Sequence, residues 1–159
     1  MRRTILKSRI HRATVTEASP NHEGSLTIDQ NLLDAADILP HEQIHVWNLT
    51  NGARLISYAV AGERGSGVVS MSDIGANLIH KGDIVIIATF TTLKSKEARK
   101  YRPAIVHVDG KNRIMEPPMP PGLPMSIPTP EGEESTKEAQ APETVEKVKP
   151  PRKRKEPKA

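Results

Sequence analysis

Gly24-Ser25 is a place where this chain could cut itself. A serine hydroxyl can attack the carbonyl of the residue before it, and glycine offers no Cβ to block the approach. The resulting N→O shift turns an amide into an ester, which β-elimination can then break. Gly65-Ser66 is a second such dipeptide, so the pair gains meaning only from its surroundings. Farther along, Arg54, Ile56 and Tyr58 alternate onto one face of a strand, with Ser57 on the other. Read alone, Arg54 is a solvated cation, Tyr58 a core ring with its hydroxyl at the edge, and Ser25 a turn residue.

Other chemistries find less support. The six histidines, His11, His22, His41, His45, His80 and His107, show no HExxH or other ligand spacing, which argues against a metal site. His11 stands apart because it shares a strand face with Arg9. The glycine-spaced segment Gly62 to Gly67 lacks the Lys-Ser/Thr ending of a phosphate-binding loop and reads as a tight turn between strands. With no cysteine, the chain has neither disulfide, thiolate metal site nor cysteine nucleophile.

These residues need strands to position them, and period-2 alternation dominates the first 116 residues. Arg9 to Thr16 reads as a strand with Arg9, His11, Ala13 and Val15 on one face. Ser25 to Ile28 is a second, followed by a helix capped by Asp29, carrying Leu32, Leu33 and Ala36 and ending before Pro40. Gln43 to Leu49 and Arg54 to Val60 flank Asn51-Gly52, a hairpin signal that calls for positive φ at both turn residues. Val68 to Met71 is another strand, with a helical turn over Ser72 to Leu78. Ile84 to Ala88, apolar on both faces, reads as a central strand. Ser95 is a candidate cap for a brief helix, and Ala104 to Val108 forms the last strand. The expectation is a mainly β fold: a small closed barrel of six or seven strands with short helices.

The composition turns at Pro117. Of 14 prolines in 159 residues, 11 lie from Pro117 onward, where large apolar side chains almost vanish. Ordering a residue costs about 1–2 kcal/mol of backbone entropy, and such a segment buries little in return. The expected organisation is therefore a domain over 1–116 and a disordered, Pro-rich, charge-segregated tail over 117–159. The tail's acidic block, Glu131 to Glu146, precedes a basic one, Lys149 to Lys158, which partly neutralises it. Without aromatics interleaved for base stacking, Arg152 to Lys155 reads as a solvated run, and nucleic acid is not an expected partner. No apolar run follows the charged start as in a signal peptide, and Ile84 to Ala88 is far short of a span. A cytoplasmic protein with no membrane contact is expected.

In order and at their spacings, His11-Arg12-Ala13-Thr14-Val15-Thr16, Glu23-Gly24-Ser25, Thr27-Ile28-Asp29, Asn51-Gly52-Ala53-Arg54, Tyr58, the Gly62 to Gly67 turn and Lys81-Gly82-Asp83 resemble the pyruvoyl-dependent aspartate 1-decarboxylase family. The resemblance runs from about residue 2 to about residue 108. It implies a double-psi β-barrel, translated as an inactive proenzyme and assembled as a homotetramer with sites between subunits. It implies cleavage between Gly24 and Ser25, with Ser25 becoming a pyruvoyl group, and no metal or pyridoxal phosphate. That ketone condenses with the substrate amine and accepts the electron pair left as CO₂ departs. By the same resemblance Tyr58 returns the proton, Arg54 grips substrate carboxylate, and L-aspartate becomes β-alanine for pantothenate biosynthesis. Whether a helper protein assists maturation stays open.

The chain departs from the family pattern around this site. Arg9 replaces the usual lysine, which keeps a cation but changes its donor geometry. His22 replaces a tyrosine just before the cleavage point, and Ser57 replaces a threonine while keeping a hydroxyl. The usual Asn-Gly-Ala-Ala loop reads Ser72-Asp73-Ile74-Gly75, which places the family's substrate-contacting backbone on Asp73, Ile74 and Gly75. His11, His22 and Ser72 are the candidates to support processing, and Arg9 and Ser57 to contact substrate. Two alternatives remain: a paralogue that decarboxylates another amino acid, and a silent barrel that binds through its basic tail.

Overall fold

The computed structural model describes residues 1–116, and the expected tail lies outside them. The described part is mainly β. Eight strands occur where six or seven were expected: β1 (Arg2–Thr14), β2 (Glu17–Ser19), β3 (Leu26–Asp29), β4 (Gln43–Asn48), β5 (Arg54–Gly62), β6 (Val69–Ser72), β7 (Ile84–Lys94) and β8 (Ala104–His107). Helix α1 spans Gln30–Ala35, α2 spans Ser95–Ala98, and a 3-10 turn covers Asp73–Asn77. The additional strand, β2, exists through parallel pairing with β6, and three residues carry no periodicity to announce it. No helix among the described residues is long and apolar enough to cross a membrane.

The strands are hydrogen-bonded in the order β2-β6-β3-β5-β4-β7-β1-β8. No ladder joins the end strands β2 and β8 among the described residues, so the hydrogen-bonded sheet itself is not closed. Beyond the ladders, Asn112 and Thr16 tie the end of β1 to the turn before β6 and to β6 itself. Asn112 accepts from the Thr14 N–H at 2.7 Å and donates to the carbonyls of Thr14 and Gly67 at 2.8 and 2.7 Å. Thr16 donates its N–H to the Val69 carbonyl at 2.8 Å, and its hydroxyl accepts from the Val69 N–H at 3.1 Å.

Strand β7 is central, as its two-faced apolar run predicts, with β4 and β1 on either side. One cross-strand row, Leu55–Val46–Ile87–Ile10–Val106, faces a single aliphatic core. Each such side chain contributes roughly 1.5–3 kcal/mol on burial. The next row, Ile56–His45–Ala88–Arg9–Ile105, faces outward.

Three local expectations are corrected. Arg9 and His11 do not share a face with Ala13 and Val15. The β1–β7 register slips between Ile10 and Ala13, and Arg12 takes φ +64 there. This bulge shifts the alternation by one residue, putting Ala13 and Val15 in the core and leaving Arg9 and His11 on the outer face. The β4–β5 connection is longer than a two-residue turn: it runs over residues 49–53, and only Gly52 of the Asn51-Gly52 pair has positive φ. Asn48 and Asn51 close it by accepting the N–H groups of Thr50 and Ala53. Finally, Lys94 rather than Ser95 occupies the cap of α2.

Candidate active site

Ser25 sits at the entrance to β3 and is buried, with 3% of its surface exposed. Because β3 runs parallel to β5, with Leu26 opposite Ala59, Ser25 lies beside Ser57 and Tyr58. Its Oγ shares a short hydrogen bond with the Ser57 hydroxyl and accepts the Tyr58 backbone N–H at 3.0 Å. The Ser25 Oγ is therefore fixed from two sides.

Gly24 has φ +145, a conformation that L side chains rarely adopt. The chain on both sides of it is held by the start of the 3-10 turn. Ser72 donates its N–H to the Ser25 carbonyl at 2.9 Å, and Asp73 donates its own to the His22 carbonyl at 3.1 Å. Asp73 reaches that position with φ +57. Thus Ser72 and Asp73 brace the segment through their backbone, and Asp73 leaves its side chain exposed. Ile74 is exposed, whereas Gly75 is buried where an added Cβ would collide with the Met71 sulfur. His22 is exposed, with Nδ1 2.6 Å from the Ser19 hydroxyl.

The far end of β3 is anchored by Asp29, a residue singled out in the sequence only as a helix cap. It caps α1 through the Asn31 N–H at 2.8 Å and also accepts the N–H groups of Gly65 and Gly67 at 2.9 and 2.7 Å. Burial alone would raise its pKa, but the N–H groups of Gly67, Asn31 and Gly65 and the Arg64 charge hold it below the usual carboxylate range. The Gly62 to Gly67 segment is the tight turn expected, with two of its N–H groups spent on this carboxylate.

Arg54, Ile56 and Tyr58 lie on the outer face of β5, all exposed, with Ser57 on the other face as expected. Arg9 and His11 occupy the same outer face on β1, but β4 and β7 intervene. At about 4.8 Å per strand, Ile56 and Arg9 are three spacings apart, roughly 14 Å. One chain therefore divides its predicted site residues into two groups: Gly24, Ser25, Ser57, Tyr58 and Arg54 with the 72–75 turn, and Arg9 with His11. A depression of about 530 Å³ beside Asp29, Ser66 and Lys111 includes neither group.

The family model described as aspartate decarboxylase matches residues 1–115, nearly all of the described part. The chain belongs to the aspartate decarboxylase family. Among its relatives, the aspartate 1-decarboxylase of Pelotomaculum thermopropionicum is 53% identical over 113 residues, covering 71% of this chain and 86% of that protein. Among solved structures, the computationally designed msDPBB_sym2 protein superposes with a TM-score of 0.33 at 14% identity, covering 54% of this chain and 96% of the designed one. In this family member, the serine pinned by Ser57 and Tyr58 is the one that sequence reading marked for cleavage. Asp29, Asn112 and His107 went unmarked for any role at or around the site. Asn112 had no local pattern to reveal it, whereas Asp29 was visible as a cap three residues into β3.

Proposed function

We propose that this family member is a self-processing, pyruvoyl-dependent decarboxylase that converts L-aspartate to β-alanine and CO₂. The observation that carries the reading is the buried Ser25 Oγ, held by Ser57 and the Tyr58 N–H directly after a glycine at φ +145.

Processing begins as the Ser25 Oγ attacks the Gly24 carbonyl carbon. The Gly24–Ser25 C–N bond breaks, and the hydroxyl proton passes to the freed nitrogen, leaving an ester. Ser57 shares the Oγ proton and the Tyr58 N–H orients the oxygen, so both groups favour the attacking geometry. Elimination then releases the Gly24 carboxylate, and water replaces nitrogen as ammonia departs, leaving a pyruvoyl group at residue 25.

The site suits formation of that group: the Ser72 and Asp73 N–H groups hold the backbone on either side of Gly24, and Ser57 and the Tyr58 N–H hold the Oγ that leaves with the Gly24 carboxylate. When formed, the pyruvoyl ketone supplies an electron sink for the pair left by CO₂. Arg54 binds substrate carboxylate by charge-assisted hydrogen bonds, each worth about 1.5–3 kcal/mol. The Tyr58 hydroxyl returns the proton to the α-carbon. Arg9 and His11, three strands away from β5 on the same outer face, join a site with Ser25 of a second copy. A homotetramer with sites between subunits satisfies that requirement, and the product would feed pantothenate biosynthesis.

Intact mass of the purified protein is the test, with Ser25→Ala as the control. The expected result is two fragments divided after Gly24, the larger one ammonia lighter than a serine start, and a single chain in the control. A wild-type chain that stays whole after warm incubation, alone and with extract of its source cells, would sink the proposal.

A further inference from the structure

The outer face of the β1–β8 pair carries a group of bases that sequence reading only half anticipated. His107 stands directly opposite His11 in the parallel register, and Ile105 opposite Arg9. The two imidazole rings meet edge to face, with centroids 5.3 Å apart. Two buried nitrogens on this face, Arg9 Nε and His107 Nδ1, have no hydrogen-bond partner among the described residues. A buried polar atom left so forfeits the hydrogen bonds it made to water, which favours a partner arriving from outside the chain.

The position of His107 is fixed by its surroundings. Its carbonyl accepts the Met115 N–H at 2.9 Å, and Asp109 closes the following turn by accepting from Lys111 and Arg113. Asn112 in that turn is bonded to both backbone groups of Thr14 on β1. These bonds secure the end of β8 against β1.

We infer that His107 is a positioning residue, holding the His11 ring beside Arg9 so that this edge of the sheet receives a substrate carboxylate. This rests on the proposed decarboxylase reading, in which Arg9 and His11 complete a site with a second copy. The charged and titratable groups around His11 are Arg9 and Arg12 on its own strand and His107 on β8, and the facing stretch of β7, Ile84 to Ala88, supplies none. Burial first, then Arg9, His107 and Arg12, lower the His11 pKa to about 4. At neutral pH the ring is uncharged, so it can hydrogen-bond to a carboxylate while Arg9 alone carries the charge.

The test uses the full chain with His107→Phe, which keeps a ring but no nitrogen, and His107→Gln as a second variant. His11 is followed by NMR through its ring Cε1–H, and succinate, a dicarboxylate without an amine, serves as the probe. In wild type, succinate should shift the His11 and His107 signals. In both variants the His11 titration midpoint should rise from about 4 toward 6.5, and succinate should bind about three- to tenfold more weakly. In active enzyme, KM for aspartate should rise by a similar factor with kcat little changed. An unmoved His11 midpoint in both variants overturns the inference, as does unchanged succinate affinity. The NMR arms do not need cleavage or turnover, so an uncleaved chain would count against the decarboxylase reading and leave this result separate.

Discussion

The backbone N–H of Tyr58 donates to the Ser25 Oγ at 3.0 Å. In the proposed reading one residue has two duties: its main-chain N–H orients the hydroxyl proposed to cut the chain, and its exposed phenol is proposed to return the proton. Substitutions that keep the β5 backbone in place should separate these duties. Tyr58→Phe is expected to process like wild type by intact mass, yet to lose aspartate turnover by about 10²-fold or more, the usual worth of a positioned acid–base group. Unprocessed Tyr58→Phe would show that the phenol itself is needed for cleavage.

The Ser57 hydroxyl is the side-chain partner of the Ser25 Oγ. Ser57→Ala removes a bond worth about 0.5–1.5 kcal/mol, so processing should slow about two- to tenfold. Ser57→Thr keeps the hydroxyl and should process at close to the wild-type rate. Time courses of fragment appearance on denaturing gels give both numbers.

Gly24→Ala separates conformation from space. A Cβ there would stand 3.7 Å from the Ser72 Cβ, an ordinary contact, so the penalty comes from φ +145. Strain of about 1–3 kcal/mol is expected. It should appear as a lower urea midpoint of the uncleaved Ser25→Ala chain when the glycine is also replaced.

Acid should weaken the fold in two stages. The His11 pKa is lowered to about 4 in the folded chain from an ordinary 6.5, so the unfolded state binds more protons between those values. Its stabilising contribution is complete above pH 6.5 and is lost as pH falls toward 4. Asp29, also held below its ordinary value, adds a second loss as pH falls below 3.8. Urea midpoints from pH 7 to 4 should decline, and His11→Gln should flatten that decline.

Asp29→Asn should be the more damaging change at neutral pH. It weakens three bonds at once, to Asn31, Gly65 and Gly67, and loosens both the α1 cap and the turn before β6. A loss of about 1–3 kcal/mol is expected by urea titration, larger at pH 7 than at pH 3.

What could be read in the sequence follows how local its cause is. The central place of Ile84 to Ala88, the cap at Asp29 and the common face of Arg54 and Tyr58 depend on alternation or adjacent residues, and all three hold in the structure. The face of Arg9 and His11 was misassigned relative to Ala13 because a bulge at Arg12 breaks the alternation, and nothing in the residue types announces a positive φ on arginine. β2 and the Asn112 bridge depend on pairings that span dozens of residues. The sequence marks Ser57 only as a retained hydroxyl and candidate substrate contact; its contact with Ser25 was not legible, since parallel registry between β3 and β5 fixes it.

Strand β1 lies between β7 and β8, and it belongs wholly to the segment that ends at Gly24. A cut after Gly24 would therefore leave two polypeptides woven into one sheet, neither able to complete the core without the other. Folding would then have to come first and cutting second, because the Ser25 hydroxyl meets its partners only once β3 and β5 are side by side. Afterwards, unfolding would let the pieces diffuse apart, and regaining the structure would become a second-order encounter. Maturation would then work as a ratchet, with a melting point that depends on protein concentration and a heat-denatured state that seldom finds its way back.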